Sequence, residues 1–128
     1  MNISKLDTVF SEYIRRRDVD EFGRVKCCTC DMVTHWSEMD AGHFVSRKHL
    51  ATRWNEQNVH SQCPECNRLG DGKLKEYANY LVERYFITTP RKLKVLSRAT
   101  YKPMQHEIDE MVQIYKDKIK ELDNQLLT

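Results

Sequence analysis

The chain has 128 residues, is 40% hydrophobic and 31% charged, and carries a formal net charge of +2. That length supports one domain with a small core, and that composition excludes an intrinsically disordered chain. No apolar run approaches the ~18 residues that span a bilayer, and the opening MNISKLDTVF lacks a secretory pattern, so an intracellular protein without a membrane partner is expected.

Leu6, Val9, Phe10, Tyr13 and Ile14 recur at helical spacing and predict a helix from about Lys5 to Arg17. Gly23 breaks the pattern. Residues 24–45 are cysteine-flanked and turn-rich, which predicts a β-hairpin or two short strands, and 46–60 reads as a loop. The run CPECNRLGDGKLKEYANYLVERYF reads as a turn leading into a helix, with Leu74, Tyr77, Ala78, Leu81 and Tyr85 on one face. Thr89 then Pro90 is an N-cap followed by N1, opening a short helix to about Leu96. Past Pro103, Ile108, Met111, Val112, Tyr115, Ile119, Leu122 and Leu126 form the apolar stripe of a long helix. That stripe either packs back on the domain or pairs with a second copy, as a coiled-coil homodimer would. The expected organisation is a single domain over 1–128, with an N-terminal helix in 1–20, a core in 24–86 and a helical extension in 87–128.

Five cysteines in an intracellular chain are metal ligands or free thiols rather than disulfides. Cys27-x2-Cys30 and Cys63-x2-Cys66 are two knuckles, each able to aim two thiolates at one point. Soft sulfur ligands and tetrahedral closure select Zn²⁺, and a four-thiolate site is coordinatively closed, hence structural. It would clamp 27–66 into a loop and contribute to folding. Cys28 has a poorer bite with Cys30 and reads as a small buried hydrophobe.

The residues between the knuckles exceed what a zinc staple needs. DAGHF, NEQNVH and the asparagine after the last cysteine place His43, Asn58 and Asn67 at intervals of 15 and 9 residues. With 39–45 as a strand and a helix from 67, the arrangement is a ββα metal finger, Asn67 facing His43 from the first helical turn. This constellation resembles the HNH nuclease signature, with Asn67 in place of the final histidine. More narrowly, the run from YIRRRD through CCTC, MDAGHFVSR and RWNEQNVHSQCPECNR resembles the phage recombination family called NinG or Rap, over roughly residues 10–86.

The resemblance implies an α+β fold: a small zinc-stapled, HNH-like ββα-metal core flanked by helices, with a long C-terminal helix. It implies a metal-dependent endonuclease of phage recombination, acting on branched DNA such as Holliday junctions in the cytoplasm of a bacterial host. Phosphodiester hydrolysis needs an activated water, and a neutral histidine suits that task, so His43 is the expected general base. Asn58 would orient the His43 segment, and Asn67 would hold the catalytic cation directly or through water. Many HNH enzymes place a metal ligand directly before the histidine; here Gly42 stands there, so Asp40 and Asn67 are the expected ligands, with Asp71 in reserve. An oxygen-rich shell favours Mg²⁺ or Mn²⁺.

His60 reads as a loop hydrogen bonder or a spare zinc ligand. His35, His49 and His106 read as surface residues, and Trp36 and Trp54 as core around the zinc. Arg47, Lys48 and Arg53 flank the site where phosphate contacts are needed. The clusters Arg15–Arg17 and Arg91–Lys94 are further contacts or solvated helix faces. The competing readings are a non-catalytic zinc-stapled nucleic-acid-binding module and a zinc-stapled protein-interaction domain.

Overall fold

The computed structural model describes residues 1–126. Helix α1 covers Ser4–Arg16; the strands β1 (Arg24–Lys26) and β2 (Val33–His35) form an antiparallel hairpin, with Val25 opposite Thr34. A 3-10 turn at Trp36–Glu38 leads into β3 (Asp40–His43), which pairs antiparallel with β4 (Val59–Gln62), Asp40 opposite Gln62 and His43 opposite Val59. Between them lies the single-turn helix α2 (Leu50–Arg53). A one-turn π-helix at Glu65–Leu69 precedes α3 (Leu74–Arg84), α4 (Thr89–Leu96) and α5 (Gln105–Leu126). This is a small mixed α+β domain with a long C-terminal helix, and no helix of the described residues is long and apolar enough to cross a membrane.

Three apolar clusters organise it. Leu6, Phe10 and Ile14 of α1 pack against Ile108, Val112 and Tyr115 of α5, with Trp54 and Val59 beneath. The two helices run parallel: Asn2 and Gln105 exchange hydrogen bonds at one end, and Arg16 pairs with Asp123 at the other. The stripe on α5 thus covers its own domain, while the Leu126 side chain lies outside the described residues. A second cluster joins Val25 and Met39 to Cys27, Cys63 and Cys66; a third joins Phe44, Tyr77, Leu81 and Leu93.

The β-hairpin expected within 24–45 forms as β1–β2, and the strand bearing His43 pairs with β4. Three sequence expectations are corrected. Residues 46–60 are not all loop, because α2 forms and β4 begins at Val59. Trp54 packs between α1 and α5 and donates to Asp7, whereas Trp36 does border the cysteines. Thr89 is already helical, with Thr88 at the N-cap position, and its hydroxyl accepts from the Phe86 N–H at 3.1 Å.

Candidate functional site

Cys27, Cys30, Cys63 and Cys66 come together with all ligand atoms within 4.8 Å of one another. Tetrahedral zinc with bonds of ~2.3 Å separates thiolates by ~3.8 Å, and the Cys30 and Cys63 sulfurs are 3.8 Å apart. Backbone N–H groups point at the sulfurs: Cys63 N–H at Cys27 Sγ (3.2 Å) and Cys66 N–H at Cys63 Sγ (3.4 Å). Such donors stabilise thiolates, so the donor set fits a closed structural zinc. Cys28 stays outside it, packed against the third cluster, and burial pushes its thiol well above the ordinary range.

The cysteines tether the β1–β2 hairpin to the end of β4, and β4 carries β3. At the end of β3, His43 lines a cavity of about 280 Å³ bordered by Asp7, Ser11, Asp40, Arg47, Asn67 and Arg68. His43 Nε2 lies 3.0 Å from the Arg53 carbonyl oxygen. A carbonyl only accepts, so Nε2 carries the proton and Nδ1 keeps its lone pair. Burial lowers the His43 pKa below its ordinary 6.5, and the Arg47 and Arg53 charges reinforce this against the Arg53 carbonyl. The ring is therefore neutral at neutral pH, with one basic nitrogen.

Asn58, fully buried, ties down the loop after His43. Its Oδ1 accepts from Val45 N–H (2.8 Å), and its Nδ2 donates to the Val45 and Thr52 carbonyls (3.0 and 3.1 Å). Thr52 immediately precedes the residue whose carbonyl orients His43.

Asp40, at the other end of β3, accepts from Asn67 Nδ2 (2.9 Å) and bidentately from Arg68, Nε to Oδ2 at 2.9 Å and Nη2 to Oδ1 at 2.8 Å. Burial opposes its charge, but these hydrogen bonds outweigh burial and hold the carboxyl below its ordinary range. Asp40 and Asn67 are the cavity residues that could supply oxygen ligands, and Mg²⁺ or Mn²⁺ would need only one or two protein oxygens beside water and substrate phosphate.

The family model for bacteriophage lambda NinG protein matches residues 2–125. The chain belongs to the NinG family. It is 27% identical over 121 residues to protein ninG of Salmonella phage P22, covering 94% of this chain and 57% of that protein. It is 32% identical over 83 residues to protein ninG of Escherichia phage lambda, covering 64% of this chain and 38% of that one. The chain thus spans between about two fifths and three fifths of these relatives. No solved structure matches it.

In this NinG-family chain, Asp71 does not reach the cavity. The backbone turns left-handed at Asp71, Gly72 and Lys73 (φ 53°, 82° and 47°) between the π-helical turn and α3, leaving Asp71 exposed. Asn67 accordingly sits on the π-helical turn, not on α3, and its amide meets Asp40 rather than His43. Gly42 is buried against Gln62: a Cβ there would fall within 2.8 Å of the Gln62 Cβ and closer still to Oε1. A side chain there would force Gln62 to shift, so a ligand directly before His43 carries a steric cost.

Of the three basic loop residues, Arg47 and Lys48 are exposed. Arg53 is engaged internally: Nε and Nη2 donate to Asp7 at 3.0 and 2.6 Å, and Nη1 donates to the Arg47 carbonyl at 2.9 Å. It braces α2 against α1 instead of presenting a free guanidinium. Arg15, Arg16 and Arg17 are likewise bonded to Ser11, Glu12 and the Glu56 and Val59 carbonyls. Arg91 and Lys92 are exposed.

Sequence reasoning missed Asp7 and Arg68. Asp7 lies on α1, and nothing local marks it; Arg68, beside Asn67, could have been found by asking what neutralises Asp40. His60 is a buried brace. Tyr77 donates its hydroxyl hydrogen to the Gly42 carbonyl (2.7 Å), so His60 Nδ1 donates to the Tyr77 oxygen (3.1 Å) and Nε2 accepts from Tyr85 (2.8 Å). Burial, with Arg17 and Arg84 nearby, lowers its pKa to about 2.

Proposed function

We propose that this chain is the zinc-stapled, HNH-like catalytic module of a metal-dependent DNA endonuclease of phage recombination, acting on branched DNA such as Holliday junctions. The observation that carries the reading is the neutral His43, its Nε2–H fixed on the Arg53 carbonyl and its Nδ1 left basic, in the same cavity as Asp40 and Asn67. The pairing of β3 with β4, followed by the π-helical turn and α3, supports a ββα reading of the core.

In this mechanism His43 Nδ1 takes a proton from water as the water oxygen attacks phosphorus. The P–O3′ bond breaks, and the leaving oxygen is protonated from solvent. Asp40 and Asn67 would hold a divalent cation, and the chemistry it would supply is stabilisation of the negative charge that develops at the scissile phosphate. Asn58 positions: it keeps the Val45–Thr52 loop closed, so the Arg53 carbonyl stays on His43. Arg47 and Lys48 supply phosphate contacts from the exposed loop.

The second reading, a non-catalytic zinc-stapled nucleic-acid-binding module, draws on the full engagement of Asp40 by Arg68 and Asn67. The deciding experiment offers a synthetic four-way junction, matched duplex and single strand to the protein with Mg²⁺ or Mn²⁺. Metal-dependent cutting lost in His43→Ala establishes the nuclease, with preference for the junction establishing branched DNA as substrate. Binding without cutting establishes the module, and cutting that survives His43→Ala removes His43 as base.

A further inference from the structure

Asp40 is anchored and Arg68 is not. Asp40 begins a paired strand, and its side chain is 18% exposed; the Arg68 side chain is 69% exposed and extends from the π-helical turn. A carboxylate offers about four lone-pair positions. Arg68 takes one on each oxygen, and Asn67 takes a second on Oδ2. Little donor capacity remains for a cation while Arg68 stays. The two adjacent residues also differ in what they offer: the Asn67 side chain carries an oxygen as well as its donor, whereas a guanidinium can only donate.

We propose that Arg68 is a gate on Asp40: its guanidinium and the divalent cation compete for the same carboxylate oxygens, and cation binding releases Arg68 to take a backbone phosphate of the nucleic acid at the cavity mouth. This rests on the reading of Asp40 as a cation ligand given above. The exchange conserves charge logic: the cation replaces the guanidinium as the positive partner of Asp40, and the freed guanidinium finds its anion on the substrate. By linkage, each ligand loosens the Arg68–Asp40 pair and so favours the other: cation on Asp40 frees Arg68 for phosphate, and phosphate on Arg68 frees Asp40 for the cation. Metal and substrate therefore bind with positive cooperativity. Arg47, exposed and 3.6 Å from Asp7, lines the same cavity and provides a second basic arm.

The test uses the zinc-loaded full chain and reads Mn²⁺ binding by the loss of the free-ion electron paramagnetic resonance signal. Exposed ion pairs are weak, so Arg68→Ala is expected to tighten Mn²⁺ on the order of threefold, while Asp40→Asn removes the site in either background. Arg68 is exposed, so the variant keeps the wild-type circular dichroism spectrum. Equal or weaker Mn²⁺ binding in Arg68→Ala, with binding still abolished by Asp40→Asn, overturns the gate and leaves the cation site standing. Mn²⁺ binding indifferent to Asp40→Asn overturns the cation site and the gate with it. The released arm is read separately, from duplex affinity against salt in the His43→Ala background, with and without Ca²⁺. Arg68→Ala should lower the slope of log affinity on log salt by about one when Ca²⁺ is present and by much less without it. An unchanged slope in both conditions overturns the phosphate contact.

Discussion

Asn58→Ala isolates the brace beneath His43 from the chemistry itself. The substitution removes an acceptor for Val45 N–H and a donor shared by the Val45 and Thr52 carbonyls, all in a side chain with no solvent exposure. Each such hydrogen bond contributes about 1 kcal/mol net, so the loss is about 3 kcal/mol before any cost of the vacated volume. For a chain of this size that lowers Tm by roughly 12 °C. Thermal unfolding with excess zinc present measures it, because zinc loss would otherwise contribute to the transition. Asn58→Asp sharpens the test. Its carboxylate still accepts from Val45 N–H but sets a negative oxygen against two carbonyls, so its folded-state pKa rises, and protonation restores one donor. Asn58→Asp should therefore recover stability relative to wild type as pH falls from 7 to 5. A Tm loss under about 4 °C in Asn58→Ala, or no acid recovery in Asn58→Asp, would refute the reasoning.

Arg47→Gln removes a positive charge that depresses the His43 pKa; the active form is the neutral ring, so the acid limb of a cleavage pH–rate profile should move to higher pH, and an unmoved limb denies the coupling. His60 has a folded pKa of about 2 against an ordinary 6.5, so the unfolded state binds the extra proton in that window. Stability is complete above pH 6.5 and falls as pH drops through it, by up to about 1.4 kcal/mol per pH unit; denaturant titrations of His60→Gln should show a shallower pH slope than wild type. Zinc chelation or Cys30→Ser should abolish cooperative unfolding and collapse the β1–β2 hairpin onto no fixed register, visible as lost near-ultraviolet circular dichroism; a retained signal would make the metal dispensable. Gly42→Asp, which supplies a carboxylate directly before His43, should destabilise by about 1–3 kcal/mol through overpacking on Gln62, measured by chemical denaturation; a stable variant would contradict the crowding.

The cysteine quartet was legible because a two-residue spacing fixes the reach of each knuckle, whatever the rest of the chain does. His43 and Asn58 stood out because their spacing between the knuckles resembles the HNH signature. β4 did not, since Val59, His60, Ser61 and Gln62 look like polar loop yet are all buried. Their partners Tyr77, Tyr85, Arg15 and Thr29 lie far off in sequence. Asp71, held in reserve as one helical turn past Asn67, falls away because the glycine-rich LGDG does not continue the helix and three successive left-handed residues interrupt it. Asp7 reaches the cavity only because α1 lies across β3 and β4, a tertiary fact with no trace in the residues around it.

The pairing of α1 with α5 imposes an order of events on synthesis. The chain emerges from its N-terminus, so the face of Leu6, Phe10 and Ile14 that meets α5 stays uncovered until α5 has been made. Asp7 sits on that same helix and holds Arg53, whose carbonyl sets the tautomer of His43. A nascent or prematurely terminated chain can close its zinc knuckles, which need nothing beyond Cys66, long before α1 is secured. Full burial of α1, and with it the helix that carries the Asp7–Arg53 brace, is thus tied to translation of α5.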